Sequence, residues 1–447
     1  MIAKRLQEVA EKNPNKIAFN IKNNSITYKE LFDKATYYST LLKREGNSPV
    51  IIYGDKSVEK YIAIFACILA RRAYVPIGSC TPVHRLEQIK DMVNSSIVLE
   101  DDLSILDDYK DNKEYEIDNN IAYIIFTSGS TGEPKGVPIS YDNLNNFIDW
   151  INTVEPLNTY KDITVLNTAS FSFDLSVADI YYAISNGHTL KSVDVDMDNY
   201  GDIYEAFNSV DVAVMTPTFM KLCLINPEFN KDNYQDFKCV YFCGEQLHIN
   251  LVNKIYNRFP DLKIINAYGP TEATSAVSAV LIDKTMLDDD LLPCGEISSS
   301  AVDIKIINDE IVLDGKSVFN GYLNDKSVDK YNTGDLGYIK DNYLYCKGRK
   351  DDQVKYLGYR IELHDIEINA NSIDGVSDSI VIAKRLSDDT VKGITLFVIS
   401  NKSEDSIRTE LRELIPGYMM PNRIVVMDKF PVNKNGKIDR KAMMNLW

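Results

Sequence analysis

Short apolar runs alternate with helix-period segments between residues 48 and 265, and that rhythm constrains the fold more than any other feature of the chain. Residues 48–53 (SPVIIY), 73–77 (AYVPI), 96–99, 122–126, 164–166, 212–215, 240–242 and 263–265 each hold a few consecutive apolar residues. The segment 58–70 between the first two has the length and composition of a helix. Uniformly apolar strands separated by helices are those of layered α/β folds, in which a parallel sheet is covered on both faces. From 302 to 345 the helical segments thin out. Short strands separated by Gly, Asn and Asp predict a small antiparallel subdomain there. A boundary is expected at 348–352 (GRKDD), dividing a large N-terminal domain, 1–350, from a small one, 351–447. The latter carries strand candidates at 379–383, 395–399 and 423–427 and a helix at 404–414, enough for an α+β domain.

Composition narrows the class without naming a chemistry. At about 150 residues per domain, 447 residues leave room for two or three domains. With 45% hydrophobic and 26% charged residues, disorder and fibrous architecture are excluded. Forty-nine basic against 65 acidic residues leave −16, the wrong sign for coating a phosphate backbone, so nucleic acid is not an expected partner. Seven cysteines without a CxxC pair and four histidines predict neither a disulfide framework nor a zinc site. Reduced thiols and a cytoplasmic location follow. Ile2, Leu6 and Val9 stand at helical spacing between charges, which predicts an amphipathic surface helix rather than a signal peptide. The most apolar stretch, 61–77, runs only about ten residues before Arg71, too short to insert across a membrane.

Five segments carry side chains suited to nucleotide chemistry. In 123–137 (YIIFTSGSTGEPKGV) an apolar strand runs into Thr127, Ser128, Gly129, Ser130, Thr131 and Gly132, followed by Lys135. Hydroxyls and glycine N–H groups after a strand can wrap phosphate oxygens, and a lysine adds a point charge. The segment is neither a Walker A loop nor a Rossmann fingerprint, and a plain Gly/Ser linker stays open as a reading. In 266–274 (NAYGPTEAT), Tyr268 offers a flat face for a base, Thr271 a hydroxyl and Glu272 a hard oxygen ligand for Mg²⁺; the alternative is a Gly-Pro turn with a capping threonine. In 332–336 (NTGDL), Asp335 can accept two hydrogen bonds from a ribose diol, or merely sit in a turn. Segment 348–362 (GRKDDQVKYLGYRIE) mixes arginines, lysines and glycines at the expected boundary. Segment 431–441 (PVNKNGKIDRK) holds Lys437 at a Gly turn, where solvated surface is the ordinary reading.

Taken in order, the five segments resemble the adenylate-forming enzymes, the family of acyl-CoA synthetases, luciferases and the amino-acid adenylation domains of nonribosomal peptide synthetases. The resemblance runs from 25–31 (SITYKEL) to Lys441. Within the family, 171–180 (FSFDLSVADI), 242–247 (FCGEQL) and NAYGPTEAT are similar to free-standing ligases that activate D-alanine and load a carrier protein. The resemblance implies that Thr127 to Gly132, with Lys135, hold the β,γ-phosphates of ATP. Tyr268 then stacks on adenine, in the company of Asn266, Ala267 and Gly269, with the Gly244–Glu245 backbone on the other side. Thr271 meets the α-phosphate, Glu272 the Mg²⁺ and Asp335 the ribose, and Arg349 also reaches the nucleotide. Asp351 matches the hinge about which a mobile C-terminal lid rotates. Lys437 bridges the substrate carboxylate and the α-phosphate, where a cation offsets the repulsion between two anions. ATP and Mg²⁺ are the implied cofactors, and an amino acid and a small phosphopantetheinylated carrier protein the implied partners.

Asp174 is the residue that separates amino-acid activators from fatty-acid ones in this resemblance. A carboxylate among Phe171, Phe173, Leu175 and Val177 is costly unless it meets a cation, which a substrate α-ammonium supplies. The competing reading is a helix N-cap, since Asp before Leu-Ser-Val can open a helix. Cys243, Ala267, Ser275 and Ala276 are expected to line a small side-chain pocket, with Cys243 as a buried hydrophobe and not a nucleophile. Tyr241 and Ser275 depart from the aliphatic residues expected for alanine and bring hydroxyls suited to serine. His188 and His248 fit loop or surface positions. D-alanine is the first expected substrate. The alternatives are another small amino acid, or a ligase using coenzyme A as acceptor; a catalytically silent nucleotide sensor is opposed by the presence of Lys437, Glu272 and Asp174.

Overall fold

The computed structural model describes residues 2–21, 24–44, 46–108, 120–129, 132–194, 200–386, 391–431 and 440–444. The chain divides into two compact units. The first comprises Met1–Gly78, Met92–Ile125 and Gly136–Lys347; the second comprises Ser79–Asp91, Phe126–Lys135 and Gly348–Trp447.

The first unit is built on an eight-stranded sheet. Its strands lie in the order Ser278–Leu281, Lys263–Tyr268, Cys239–Phe242, Val212–Met215, Thr164–Asn167, Thr189–Ser192, Ile17–Ile21 and Asn24–Thr27. The six inner strands run parallel and each edge strand antiparallel. The inner runs VAVM and CVYF are apolar throughout because both faces are covered. Successive side chains enter opposite faces. Val165, Val214, Tyr241, Ile265 and Ala267 join one core with Leu175 and Val177 of the Leu175–Asn186 helix. Leu166, Met215, Val240, Phe242 and Ile264 join another with Leu251 and Ile255 of the Ile249–Arg258 helix. This alternation decides which residues of each strand end can meet one another.

A second sheet orders Ile97–Leu99, Val50–Tyr53, Tyr74–Ile77, Ile121–Thr127 and Lys135–Ser140, the first four parallel. The helix Val58–Ala70 between two of these strands is capped by the Ser57 hydroxyl and buried along nearly its whole length, which accounts for its hydropathy. Residues from 295 to 349 form the expected antiparallel sheet, with Asp303–Ile307 and Glu310–Asp314 joined by a two-residue turn, Asn308 and Asp309, both at positive φ.

In the second unit, Val376–Arg385, Val391–Ser400 and Arg423–Met427 form a three-stranded sheet, against which Leu363–Asn371 and Glu404–Arg412 bury Ile366, Ile407 and Leu411. The layered α/β class and the small α+β C-terminal part are therefore as expected. Among the described residues no helix is long and apolar enough to cross a membrane.

His188 keeps its expected loop position, between the Leu175–Asn186 helix and the Thr189–Ser192 strand, but it is not at the surface. It is 1% exposed, its ring lies against Tyr182, and neither ring nitrogen has a hydrogen-bond partner among the described residues. Gly187 ends the preceding helix at φ +70 and turns the next residue into the core. Burial, reinforced by the charges of Lys16 and Lys161, lowers the imidazole pKa to about 4.

Candidate functional site

The sequence motifs of the first unit gather where the parallel strands end. Asp174 follows Thr164–Asn167, Cys243 to Glu245 follow Cys239–Phe242, and Asn266 to Glu272 close and follow Lys263–Tyr268. Ligands of open α/β sheets bind outside the carboxyl ends of the strands, because the connections diverge there.

The 266–274 segment is held closely. Gly269 is required by close approach, since a Cβ there would lie 2.5 Å from Ala276 Cα. The Asn266 amide donates to the Pro293 carbonyl at 2.7 Å, and Thr274 Oγ1 to that of Ser317 at 2.7 Å. The buried Tyr268 hydroxyl donates to Asp335 Oδ2 at 2.8 Å, joining two motifs that stand 67 residues apart. Burial, and then the Asp335 charge, push the Tyr268 phenol well above its ordinary value. Asp335 itself is oriented by its N–H, which donates to Thr333 Oγ1 at 3.0 Å. Thr271 and Glu272 sit in a 3₁₀ turn, Thr271–Ala273. Glu272 is 0% exposed and one carboxylate oxygen accepts the Tyr322 hydroxyl at 2.6 Å. Gly244 has φ +89, and the side chain of its neighbour Glu245 accepts the Thr218 N–H at 2.9 Å, placing a negative charge at the N-terminus of the Pro217–Cys223 helix.

Asp174 is 8% exposed and occupies the N-cap position of the Leu175–Asn186 helix, yet its side chain makes no capping hydrogen bond. The backbone expectation holds while the side chain has no capping task. Its charge lies close enough to Tyr123 to raise the phenol further above the level that burial already sets. Cys243, Ala267, Ser275 and Ala276 are buried in the core that also holds Leu175 and Val177, and Cys243 Sγ approaches the Ser275 carbonyl at 3.7 Å. The hydroxyls of Tyr123, Tyr241 and Ser275 are buried with no partner among the described residues.

In the second unit, the Ser128 hydroxyl donates to the Arg360 carbonyl at 3.1 Å and accepts the Glu362 N–H at 3.0 Å. Thr127 ends the strand before it, and Lys135 begins the strand after Gly132. Arg349 grips Asp351 through two 2.7 Å bonds. Partial burial acts to raise the Asp351 carboxyl, but the Arg349 bonds and charge outweigh it and hold the pKa below the ordinary value. Ser130, Thr131 and Lys437 lie outside the described residues. Four residues enter only with the structure: Tyr322 at Glu272, Tyr123 beside Asp174, and Arg85 and Asp365 at the 127–132 loop.

The AMP-binding enzyme family matches this chain over residues 6–117 and 100–323. A protein of Listeria welshimeri named D-alanine--D-alanyl carrier protein ligase is 36% identical over 504 aligned residues, covering 99% of this chain and 98% of that protein. A Staphylococcus aureus protein of the same name is 33% identical over 479 residues, with 99% and 98% covered. Among solved structures, the Vibrio cholerae adenylation domain AlmE, in complex with glycyl-adenosine-5'-phosphate, is similar in fold, with a TM-score of 0.83 at 21% identity over 100% of this chain and 97% of that one.

Proposed function

This chain belongs to the AMP-binding enzyme family, and on that premise we propose that it activates a small amino acid, D-alanine first, as the aminoacyl adenylate and then loads it onto a carrier protein. The observation that carries the reading is the full-length likeness, at 36% identity, to a ligase named for D-alanine and its carrier. In the first step a carboxylate oxygen of the amino acid attacks the α-phosphorus of ATP, forming a P–O bond as the bond to diphosphate breaks. In the second, the phosphopantetheine thiol attacks the acyl carbon, loses its proton, and AMP leaves as the thioester forms.

Each residue has a part in this scheme. The Tyr268 ring lies against adenine, steadied by its bond to Asp335, which also meets the ribose. Thr271 meets the α-phosphate, and Arg349 reaches the nucleotide. Residues 127–132 and Lys135 hold the β,γ-phosphates. Lys437 bridges carboxylate and α-phosphate, stabilising the charge that gathers between them. Glu272 suits Mg²⁺ because it is a wholly buried carboxylate with one oxygen fixed by Tyr322. Among the described residues no three acidic, His or Cys side chains converge to hold a metal by themselves, and Glu272 would hold Mg²⁺ as a single hard oxygen ligand. When bound, Mg²⁺ neutralises phosphate charge. Asp174 pairs with the α-ammonium, a role consistent with burial and with the missing capping bond. Residues 351–447 act as a mobile lid with Asp351 as its hinge, and the enzyme works in the cytoplasm.

Serine in place of alanine is the alternative that the buried Tyr241 and Ser275 hydroxyls, without a partner among the described residues, would suit, but the names of the full-length relatives do not favour it. Values of kcat/KM for D-Ala, L-Ala, D-Ser, L-Ser and Gly decide the matter. D-Ala highest supports the first reading and a serine isomer highest the second. Preference for an aromatic amino acid contradicts both.

A further inference from the structure

A buried lysine, asparagine and aspartate of the first unit are bonded in series across the segment that carries Asp174. Asn167 ends the Thr164–Asn167 strand, and Asp179 lies in the Leu175–Asn186 helix that Asp174 opens. Asn167 Nδ2 donates to Asp179 Oδ2 at 2.7 Å and to the Ala169 carbonyl at 3.2 Å. Its Oδ1 accepts Lys56 Nζ at 3.0 Å and the Ser192 hydroxyl at 3.2 Å, so every bond this side chain can make is made. Lys56, in the loop after Val50–Tyr53, also donates to the Val193 carbonyl at 2.6 Å and so ties one sheet to the other. Ser192 pairs with the Tyr61 hydroxyl, and the Phe171 ring meets the Tyr61 ring edge-on at 5.0 Å. The strand end, the 168–173 loop and the helix are thereby held by one connected set.

Holding a core together does not require such groups. Burial pushes the Asp179 carboxyl well above its ordinary value and lowers Lys56 to about 8, against the charges of Asp194 and Asp179. Apolar side chains of similar volume commonly serve a core as well or better. A closed hydrogen-bond network adds direction, since few arrangements of its partners satisfy every donor and acceptor. The geometry points to Asn167 as a positioning residue: with Lys56 and Asp179 it fixes the 168–173 loop and the start of the helix, and through them sets where the Asp174 carboxylate waits for the substrate ammonium. The inference rests on the reading of Asp174 as the partner of that ammonium. Asp174 stands midway along the chain between the two points that Asn167 Nδ2 ties, Ala169 and Asp179. The backbone between them has little slack, because Phe173 donates its N–H to the Ser170 carbonyl at 3.0 Å and Val177 to that of Asp174 at 3.0 Å.

The test uses the full chain and reads diphosphate–ATP exchange, with whichever of D-Ala, L-Ala, D-Ser, L-Ser and Gly is used best, beside direct ATP binding. Asp179→Ala removes the acceptor that Asn167 Nδ2 reaches. Its kcat/KM for the amino acid is expected to fall about ten- to hundredfold, mostly through KM, as for a partner displaced by about 1 Å. ATP affinity, and exchange with propionate, which has no ammonium to place, should be unchanged. Asp179→Asn keeps the size and an acceptor and should stay close to wild type. In the Asp174→Asn background, Asp179→Ala should add less than about threefold, because a residue acting through Asp174 has nothing left to position. Losses that multiply, an equal loss of ATP affinity, no loss at all, or equal damage in both Asp179 variants overturn the proposal and leave the network structural. Asn167→Ala cuts the same bridge from its other end and decides the matter if Asp179→Ala does not fold; failure of both to fold makes the network a folding element and also overturns it. Asp174→Asn that leaves amino-acid use intact, or exchange with none of these amino acids, defeats the ammonium reading itself and this proposal with it.

Discussion

Asp174→Asn removes one charge from a buried position and separates two jobs for the same side chain. As a cap, Asp174 would hold the first turn of Leu175–Asn186, and its loss would cost ~1 kcal/mol. The side chain makes no capping bond, so that particular cost should be absent. As a partner of the substrate ammonium, its loss leaves a cation unpaired at a site only 8% exposed. Breaking one side of a buried pair costs ~3–5 kcal/mol. At ~1.4 kcal/mol per factor of ten, kcat/KM for the amino acid should fall by about 10²–10⁴. Propionate has the carboxylate without the amine and loses nothing, so both proteins should use it equally poorly. Amino-acid-dependent diphosphate–ATP exchange supplies the rates, and direct ATP binding serves as the control. A loss below about tenfold, or an equal loss of ATP affinity, refutes the ammonium assignment.

Lys437→Ala should lower adenylation by ~10²–10³, as for a lost preorganised charge, and spare thioester formation from preformed aminoacyl adenylate; equal losses in both half-reactions contradict the bridging role. Asp351→Pro fixes φ and removes the carboxylate that Arg349 grips, so exchange should persist while carrier loading falls at least about tenfold; unimpaired loading moves the hinge elsewhere. The pKa of His188 in the fold lies below its unfolded value, so the unfolded state binds more protons and stability is lost as pH falls from about 6.5 towards about 4, by up to ~1.4 kcal/mol per pH unit. Denaturant unfolding of the wild type and of His188→Gln should diverge in this window, and parallel curves refute the assignment.

Residues differ in how far they can be read from the chain. Strands such as VAVM and CVYF are legible because parallel strands buried on both faces carry little else. The loops after them are legible as clusters of Gly and hydroxyl residues, which strand ends need for tight reversal. His188 is not legible, because its neighbour Gly187 signals only a turn, and packing then puts the next residue inside. Asp174 is half legible: its place at the helix start follows from Leu-Ser-Val beyond it, but the direction of its side chain depends on the core. Arg85 and Asp365 stand 280 residues apart in segments that read as ordinary amphipathic helices, and a buried ion pair between them has no local signature. Tyr322 and Glu272, 50 residues apart, pose the same difficulty.

Diphosphate–ATP exchange in the presence of D-alanine reads the adenylation step itself, because isotope enters ATP only if the enzyme forms an acyl adenylate reversibly. Exchange that depends on D-alanine, on Mg²⁺ and on Lys437 is the expected result. Exchange absent with every small amino acid, or driven only by carboxylates that lack an amine, contradicts the account.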